Sequence, residues 1–211
     1  MKAPVLVLLG ASFVVATACD SSRGVVEDTS TAASTVESTL ATEPVSFTKD
    51  LTQGANRFEI RTTGMEAQRQ LTIRSYRGAA LTSDPVRLDI NGAVRDAVTA
   101  DLNGNGKPEI YIFTDAASAN GGFYGYEFGE RGYTPISSPG MIAGTAGVGY
   151  SGKDTYSLAN NMLTRTFPVN NSTASATAST PETAVAGSRT ITYTLDSTGK
   201  WVMGQVMQGQ P

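Results

Sequence analysis

Apolar and polar residues alternate over several short stretches of this chain, which is the pattern of β-strands with one buried face. None of these stretches shows the three-to-four residue spacing of an amphipathic helix. The sequence therefore predicts an all-β domain, either an antiparallel β-sandwich or a strongly twisted sheet, of roughly seven to nine strands. The clearest predicted strands cover residues 57–61, 70–74, 86–90, 110–113 and 189–195.

Glycine and asparagine punctuate the strands where tight turns are needed. Asn91 and Gly92 tolerate positive φ, so they predict a hairpin turn that joins strand 86–90 to the apolar stretch 94–100. Residues 196–199 predict a second hairpin turn before Trp201, which we expect in the core.

The first residues have the composition of an export signal. Lys2 precedes an apolar run at 3–15, and small residues then lead to Cys19. This pattern resembles a bacterial lipoprotein signal at 1–18, which implies that Cys19 carries the lipid; a plain secretory signal cleaved nearby is the alternative. The implied location is the bacterial cell envelope, as a lipoprotein anchored in a membrane and facing the periplasm or the outside.

Two segments rich in Ser, Thr and Ala flank or interrupt the predicted domain. Such segments cannot bury enough apolar surface to offset the entropy of ordering. We therefore predict a disordered tether at 19–44 and a flexible insertion at about 170–186 within a single β domain, 45–211.

Composition excludes several classes of function. The formal net charge is −3, and loss of Lys2 with the signal makes it −4, so no basic stripe is present for nucleic acid. The chain has no histidine and one cysteine, so a nucleophile would lack its commonest activating base. No spacing among the carboxylates singles out a catalytic pair. We therefore expect that the protein is not an enzyme.

The turn at 101–109 has the opening pattern of a calcium loop. Asp101, Asn103, Asn105 and Glu109 place side-chain oxygens around Gly106. The last acidic residue stands at the ninth position rather than the twelfth, and two of the early groups are neutral amides. The preferred interpretation is an Asx-stabilised turn that fixes strand register, with calcium as the alternative and no other cofactor.

Five motifs follow one another along the domain, at 46–51 (SFTKDL), 98–113 (VTADLNGNGKPEIYIF), 149–154 (GYSGKD), 163–169 (LTRTFPV) and 189–193 (RTITY). In this order they resemble the periplasmic inhibitors of invertebrate-type lysozyme. The resemblance implies an all-β inhibitor, often dimeric, that inserts a loop of small residues into the substrate cleft of the enzyme. It also suggests that residues of the 149–154 and 163–169 motifs stabilise the fold, with Asp154 and Arg165 as a partly buried pair.

The loop implied by the resemblance follows strand 110–113, and two registers are open. In one, residues 121–125 form the loop, Tyr124 takes the place of the family's tyrosine, and Gly121 stands where the family has serine. In the other, residues 123–128 form a strand and 118–121 form the loop tip. The partner-binding candidates from the two registers are Ser118, Asn120, Gly121, Gly122, Phe123 and Tyr124.

The expected function is therefore inhibition of a lysozyme, with the invertebrate type favoured, by a lipid-anchored protein that does not bind nucleic acid. A homodimer is a further implied partner. Two alternatives remain: a calcium-stabilised adhesion or carbohydrate-binding β module, and a structural envelope lipoprotein.

Overall fold

Antiparallel β-strands account for nearly all regular structure in the computed structural model, which describes residues 43–65, 68–115, 122–171 and 185–209. Within these residues there are thirteen strands, one 3₁₀-helix and no α-helix, which confirms the all-β class. The predicted number of seven to nine strands is wrong. Strands such as Phe123–Gly129 and Gly132–Ile136 contain glycine or proline and do not alternate cleanly, so their pattern is weak in the sequence.

The strands form three antiparallel sheets that follow one another along the chain. The first sheet contains β1 (Val45–Gln53), β2 (Asn56–Thr63), β3 (Gln68–Arg77), β4 (Ala80–Leu81) and β5 (Val86–Asn91). The second contains β6 (Val94–Ala100), β7 (Glu109–Thr114), β8 (Phe123–Gly129) and β9 (Gly132–Ile136). The third contains β10 (Thr155–Ala159), β11 (Met162–Asn171), β12 (Val185–Leu195) and β13 (Trp201–Gly209).

The second sheet carries buried residues on both faces. Ile110 and Ile112 of β7 lie in a cluster with residues of the first sheet such as Phe58, whereas Tyr111 and Phe113 lie in a cluster with residues of the third. Successive side chains of a strand point to opposite faces, and here both faces are covered, so all six residues of β7 are buried. β7 is therefore the central strand of the fold, and it enters the sheet from the turn at 101–109.

Aromatic residues of β8 and β13 pack against the two buried clusters. Phe128 is buried and packs edge-on against Phe58, at 5.3 Å between ring centroids. Tyr126 is partly buried against the same cluster. Trp201 is also partly buried, and its indole N–H donates to the Ser137 carbonyl at 2.7 Å.

The hairpin predicted at Asn91 and Gly92 is wrong. β5 pairs with β3 in the first sheet, whereas β6 pairs with β7 in the second, so the pair of residues forms a crossing between sheets. Gly92 has a φ of 82°, as the motif indicated, but a tight turn does not determine which strands pair. The turn at 196–199 does join the paired strands β12 and β13, and Asp196 accepts three hydrogen bonds within it.

The described residues belong to one compact unit, and both buried clusters lie within it. The predicted signal at 1–18 and Cys19 lie outside the described residues, as does most of the tether. At the margins of the predicted insertion at about 170–186, Asn170 and Asn171 belong to β11, and β12 begins at Val185. Its remaining residues, 172–184, are not described.

Candidate functional site

Hydrogen bonds hold the base of the β7–β8 hairpin, at the end of β7 and just before β8. The backbone N–H of Thr114 donates to the carbonyl of Gly122 at 3.1 Å, and the N–H of Gly122 donates to Thr114 Oγ1 at 2.8 Å. The next residue, Asp115, donates its N–H to the carbonyl of Ala93 at 2.8 Å. Thr114 is buried. The chain is therefore held at Asp115 and at Gly122, the described residues on either side of segment 116–121.

Gly122 cannot be replaced by a larger residue without displacing its neighbours. A Cβ atom there would lie 2.5 Å from Thr114 Oγ1 and 3.0 Å from Tyr124 Cε2. The same point lies 3.4 Å from the Tyr124 hydroxyl. The tyrosine ring thus lies beside Gly122, with its hydroxyl at the hairpin base, and the glycine makes room for both side chains.

The predicted partner-binding residues have different positions. Ser118, Asn120 and Gly121 lie outside the described residues. Phe123 is buried, and its ring lies 5.7 Å from Trp201 and 5.8 Å from Tyr156, so it contributes to the core. Tyr124 is partly buried against the opposite cluster. Since β8 starts at Phe123, the placement agrees with the register in which 123–128 is a strand.

The turn before β7 is closed by its own side chains. The Asp101 carboxylate accepts from the N–H groups of Asn105 and Gly106, at 3.0 and 2.9 Å. Asn103 Oδ1 accepts from the N–H of Asn105, and Asn105 Oδ1 accepts from that of Lys107. The contacts of Asn103 and Asn105 are successive Asx turns, which agrees with the preferred interpretation of the motif.

Glu127 of β8 fastens the turn to the second sheet. Its carboxylate accepts from Asn103 Nδ2 at 3.1 Å, Asn105 Nδ2 at 2.6 Å and Lys107 Nζ at 3.0 Å. Partial burial by itself would raise the pKa of Glu127, but these donors outweigh it and hold the pKa below its ordinary value. The amide groups that were candidate metal ligands therefore also serve to attach the turn to β8.

Glu109 is the buried carboxyl of the turn. Its Oε2 accepts from the N–H of Leu102 and from the hydroxyl of Tyr111, both at 2.7 Å, whereas no hydrogen bond reaches Oε1. Burial raises the pKa of Glu109, and the charge of Asp101 adds to the rise, although the Leu102 N–H, the Tyr111 hydroxyl and the nearby backbone N–H of Asn103 oppose it. In the part of the chain that the structure describes, no three His, Cys, Asp or Glu side chains come together to hold a metal. Calcium binding stays a prediction.

Two buried arginines support the long connection from β9 to β10, residues 137–154. Arg165 forms two hydrogen bonds of 2.8 Å with the Asp154 carboxylate, which confirms the predicted pair, and it donates to the Gly140 carbonyl. Tyr150 donates its hydroxyl to Asp154 at 2.6 Å. Burial alone would lower the pKa of Arg165, but the bonds with Asp154 raise it.

Arg189 is the supporting residue that the motifs did not indicate as structural. Its Nη1 donates to the carbonyls of Ala146 and Val148, at 2.7 and 2.8 Å, around the 3₁₀-helix Gly144–Gly147. A sequence signal exists: both arginines occupy core-facing positions of alternating strands, Arg165 between Leu163 and Phe167, and Arg189 two residues before Ile191. A charge at such a position needs buried partners.

Comparison with models of known families, with curated proteins and with solved structures finds no match. The resemblance to lysozyme inhibitors therefore rests on the motifs alone. Among the described residues, no helix has the length and apolar character needed to cross a membrane.

Proposed function

We propose that this protein binds a lysozyme, of the invertebrate type by preference, and inhibits it with the hairpin between β7 and β8. The observation that carries the proposal is the clamp between Thr114 and Gly122, which holds the chain on either side of segment 116–121. The clamp stands on the central strand of the fold. A loop held by a rigid scaffold is a common location for recognition.

The chemistry of the target fits the residues of this hairpin. A lysozyme has two carboxyl groups on either side of a sugar-binding groove, so an inhibitor needs to fill the groove and donate hydrogen bonds to them. Ser118 and Asn120 supply hydroxyl and amide donors, and glycines at 121 and 122 allow close approach of backbone N–H groups. Since the ends are fixed beforehand, binding loses less conformational entropy.

Tyr124 adds an aromatic group at the edge of the same surface. Its hydroxyl lies beside Gly122, and its ring is only partly buried. A partly exposed tyrosine beside a loop gives a rigid contact with little loss of side-chain entropy. In this proposal Tyr124 contacts the rim of the groove, whereas Phe123 supports the hairpin from the core.

Residual muramidase activity in the presence of residues 20–211 tests the proposal, with lysozymes of the three animal types as targets. We expect inhibition at micromolar protein. The double variant S118A/N120A should weaken inhibition about tenfold or more, which corresponds to the loss of about 1.4 kcal/mol of binding energy. S197A, in the exposed turn between β12 and β13, is the matched control and should inhibit as the wild type does. Absence of inhibition with all three enzymes would refute the proposed function.

A further inference from the structure

The connection from β9 to β10, residues 137–154, combines exposed apolar side chains with very little charge. Residues 137–152 include no Asp, Glu, Lys or Arg. Met141 is 99% exposed and Val148 is 62% exposed. Single exposed apolar residues are ordinary on protein surfaces, so these two indicate a binding surface only if the backbone that carries them is built for that role.

Buried cations hold the backbone of this connection. Arg189 donates to the carbonyls of Ala146 and Val148 at 2.7 and 2.8 Å, and Arg165 donates to the Gly140 carbonyl at 3.0 Å. Both arginines are buried, and in the part of the chain that the structure describes Arg189 forms no ion pair. Burial of a charge among neutral groups is costly. A connection that only joined two strands would not require this support.

The connection also turns some apolar side chains inward and others outward. Ala146 is buried and Ile142 is partly buried in the cluster shared by the second and third sheets. Met141 precedes Ile142 in the chain and is nevertheless almost wholly exposed. Inward-facing residues therefore anchor the connection on the core, and Met141 and Val148 take no part in that packing.

The connection begins at the end of the second sheet that carries the β7–β8 hairpin. β9 ends at Ile136, whose partner is Gly125, near the start of β8. The Trp201 indole that donates to the Ser137 carbonyl also packs against Phe123, with 5.7 Å between ring centroids. The first residues of the connection thus adjoin the base of the hairpin.

We propose that the connection 137–154 is a second contact surface for the lysozyme, with Met141 and Val148 as its contact residues. This inference rests on the proposed function, in which the hairpin enters the substrate groove. Stable complexes bury about 800 Å² on each partner. Segment 116–121 is too short to supply that area alone, so a surface beside the hairpin must also touch the enzyme.

The chemistry of the connection suits an apolar area on the rim of the groove. A surface without charged groups leaves no unpaired charge in the interface when water is excluded. The flexible thioether of Met141 adapts to irregular apolar surfaces, and methionine is enriched in protein interfaces. Because Arg165 and Arg189 already hold the backbone, binding has little of it left to order.

Inhibition titrations with residues 20–211 and each lysozyme that the wild type inhibits test this surface. M141D and V148D each place a carboxylate in the proposed contact and should weaken inhibition about tenfold or more. M141L keeps an apolar side chain of similar volume and should inhibit as the wild type does.

L81D is the matched control for the two aspartate variants. Leu81 is 50% exposed on β4, and the next residue, Thr82, lines a cleft with the β8–β9 turn at the other end of the second sheet. L81D should therefore inhibit as the wild type does. Thermal melts of all variants should confirm that they fold.

Oxidation of Met141 by hydrogen peroxide gives a second measurement, with the wild-type side chain in place. In the free protein the exposed thioether should form its sulfoxide readily, and bound lysozyme should slow this reaction several-fold. A lysozyme that the protein does not inhibit, at the same concentration, is the control and should leave the rate unchanged. Mass spectrometry of the peptide that contains Met141 follows the reaction.

Failure of this inference is distinguishable from failure of the proposed function. A wild type that inhibits no lysozyme refutes both. A wild type that inhibits no better than M141D and V148D overturns the second surface alone, as does an oxidation rate of Met141 that is unchanged in the complex. Unchanged inhibition by these variants, together with loss of wild-type binding to vesicles of phosphatidylethanolamine and phosphatidylglycerol, would assign the connection to a lipid surface instead.

Discussion

Two buried carboxyl groups support the loops of this protein, and their surroundings are opposite. Asp154 meets the guanidinium of Arg165 and the hydroxyl of Tyr150, so its charge is compensated. Glu109 accepts from the Leu102 N–H and the Tyr111 hydroxyl and lies near the backbone N–H of Asn103, but its Oε1 has no hydrogen bond. Removal of one partner from a buried ion pair leaves an uncompensated charge and is costly, whereas a carboxyl whose pKa is raised by folding loses stability as the pH rises.

Removal of one member of the compensated pair should have the largest effect. Asp154 and Arg165 have side chains only 2% and 6% exposed, so R165M leaves a buried carboxylate without its counter-charge. We expect a loss of about 3–5 kcal/mol in the free energy of unfolding, measured by urea denaturation. D154A should give a similar loss, because it leaves the guanidinium unpaired.

The exposed pair between Arg57 and Asp50 is the control for this prediction. Their side chains are 41% and 62% exposed, so D50A should cost less than about 1 kcal/mol. A loss of that small size in R165M would show that the buried pair contributes no more than a surface one, and the contrast with Glu109 would then fail.

Removal of the Asp101 carboxylate tests how much the turn that carries Glu109 contributes to the free energy of unfolding. D101A removes two hydrogen bonds from backbone N–H groups to a charged acceptor, so we expect a loss of about 1.5–3 kcal/mol. Thermal melts with calcium and with a chelator should give the same midpoint for the wild type, because the turn closes through its own bonds. A calcium-dependent rise in the wild type, abolished by D101A, would instead favour the adhesion or carbohydrate-binding alternative.

The sequence was most informative where one residue determined its own surroundings. Period-two alternation located the strands at 57–61, 110–113 and 189–195, and Asp154 with Arg165 could be paired from the motifs that contain them. Asn91 and Gly92 gave the turn but not the partner strand, since pairing depends on contacts far apart in sequence.

Burial was harder to predict than strand position. Nothing local distinguishes β7, covered on both faces, from a strand with one exposed face, because Tyr111 and Glu109 are polar enough to suggest solvent. The burial of Glu109 follows from the position of β7 between two sheets. From the sequence alone, the Glu109 carboxyl is a turn residue or a metal ligand, and the free-energy cost of burying its charge is not predictable.

The smallest expected effect concerns the pH dependence that Glu109 imposes. The folded chain raises the pKa of Glu109 above its ordinary value of 4.5, so the protonated form is preferred in the folded state. Below pH 4.5 both states hold the proton and the contribution to stability is greatest. As the pH rises from there through the raised folded pKa, the unfolded chain releases its proton first and stability falls. E109Q removes this titration, so the unfolding free energy of the wild type should fall relative to that of the variant as the pH rises toward neutral. Y111F removes a donor that lowers the pKa of Glu109, so it should make the total decline larger and extend it to higher pH. Parallel pH profiles for the wild type and E109Q would mean that folding does not raise the pKa of Glu109, because only a group whose pKa differs between folded and unfolded chains links stability to pH.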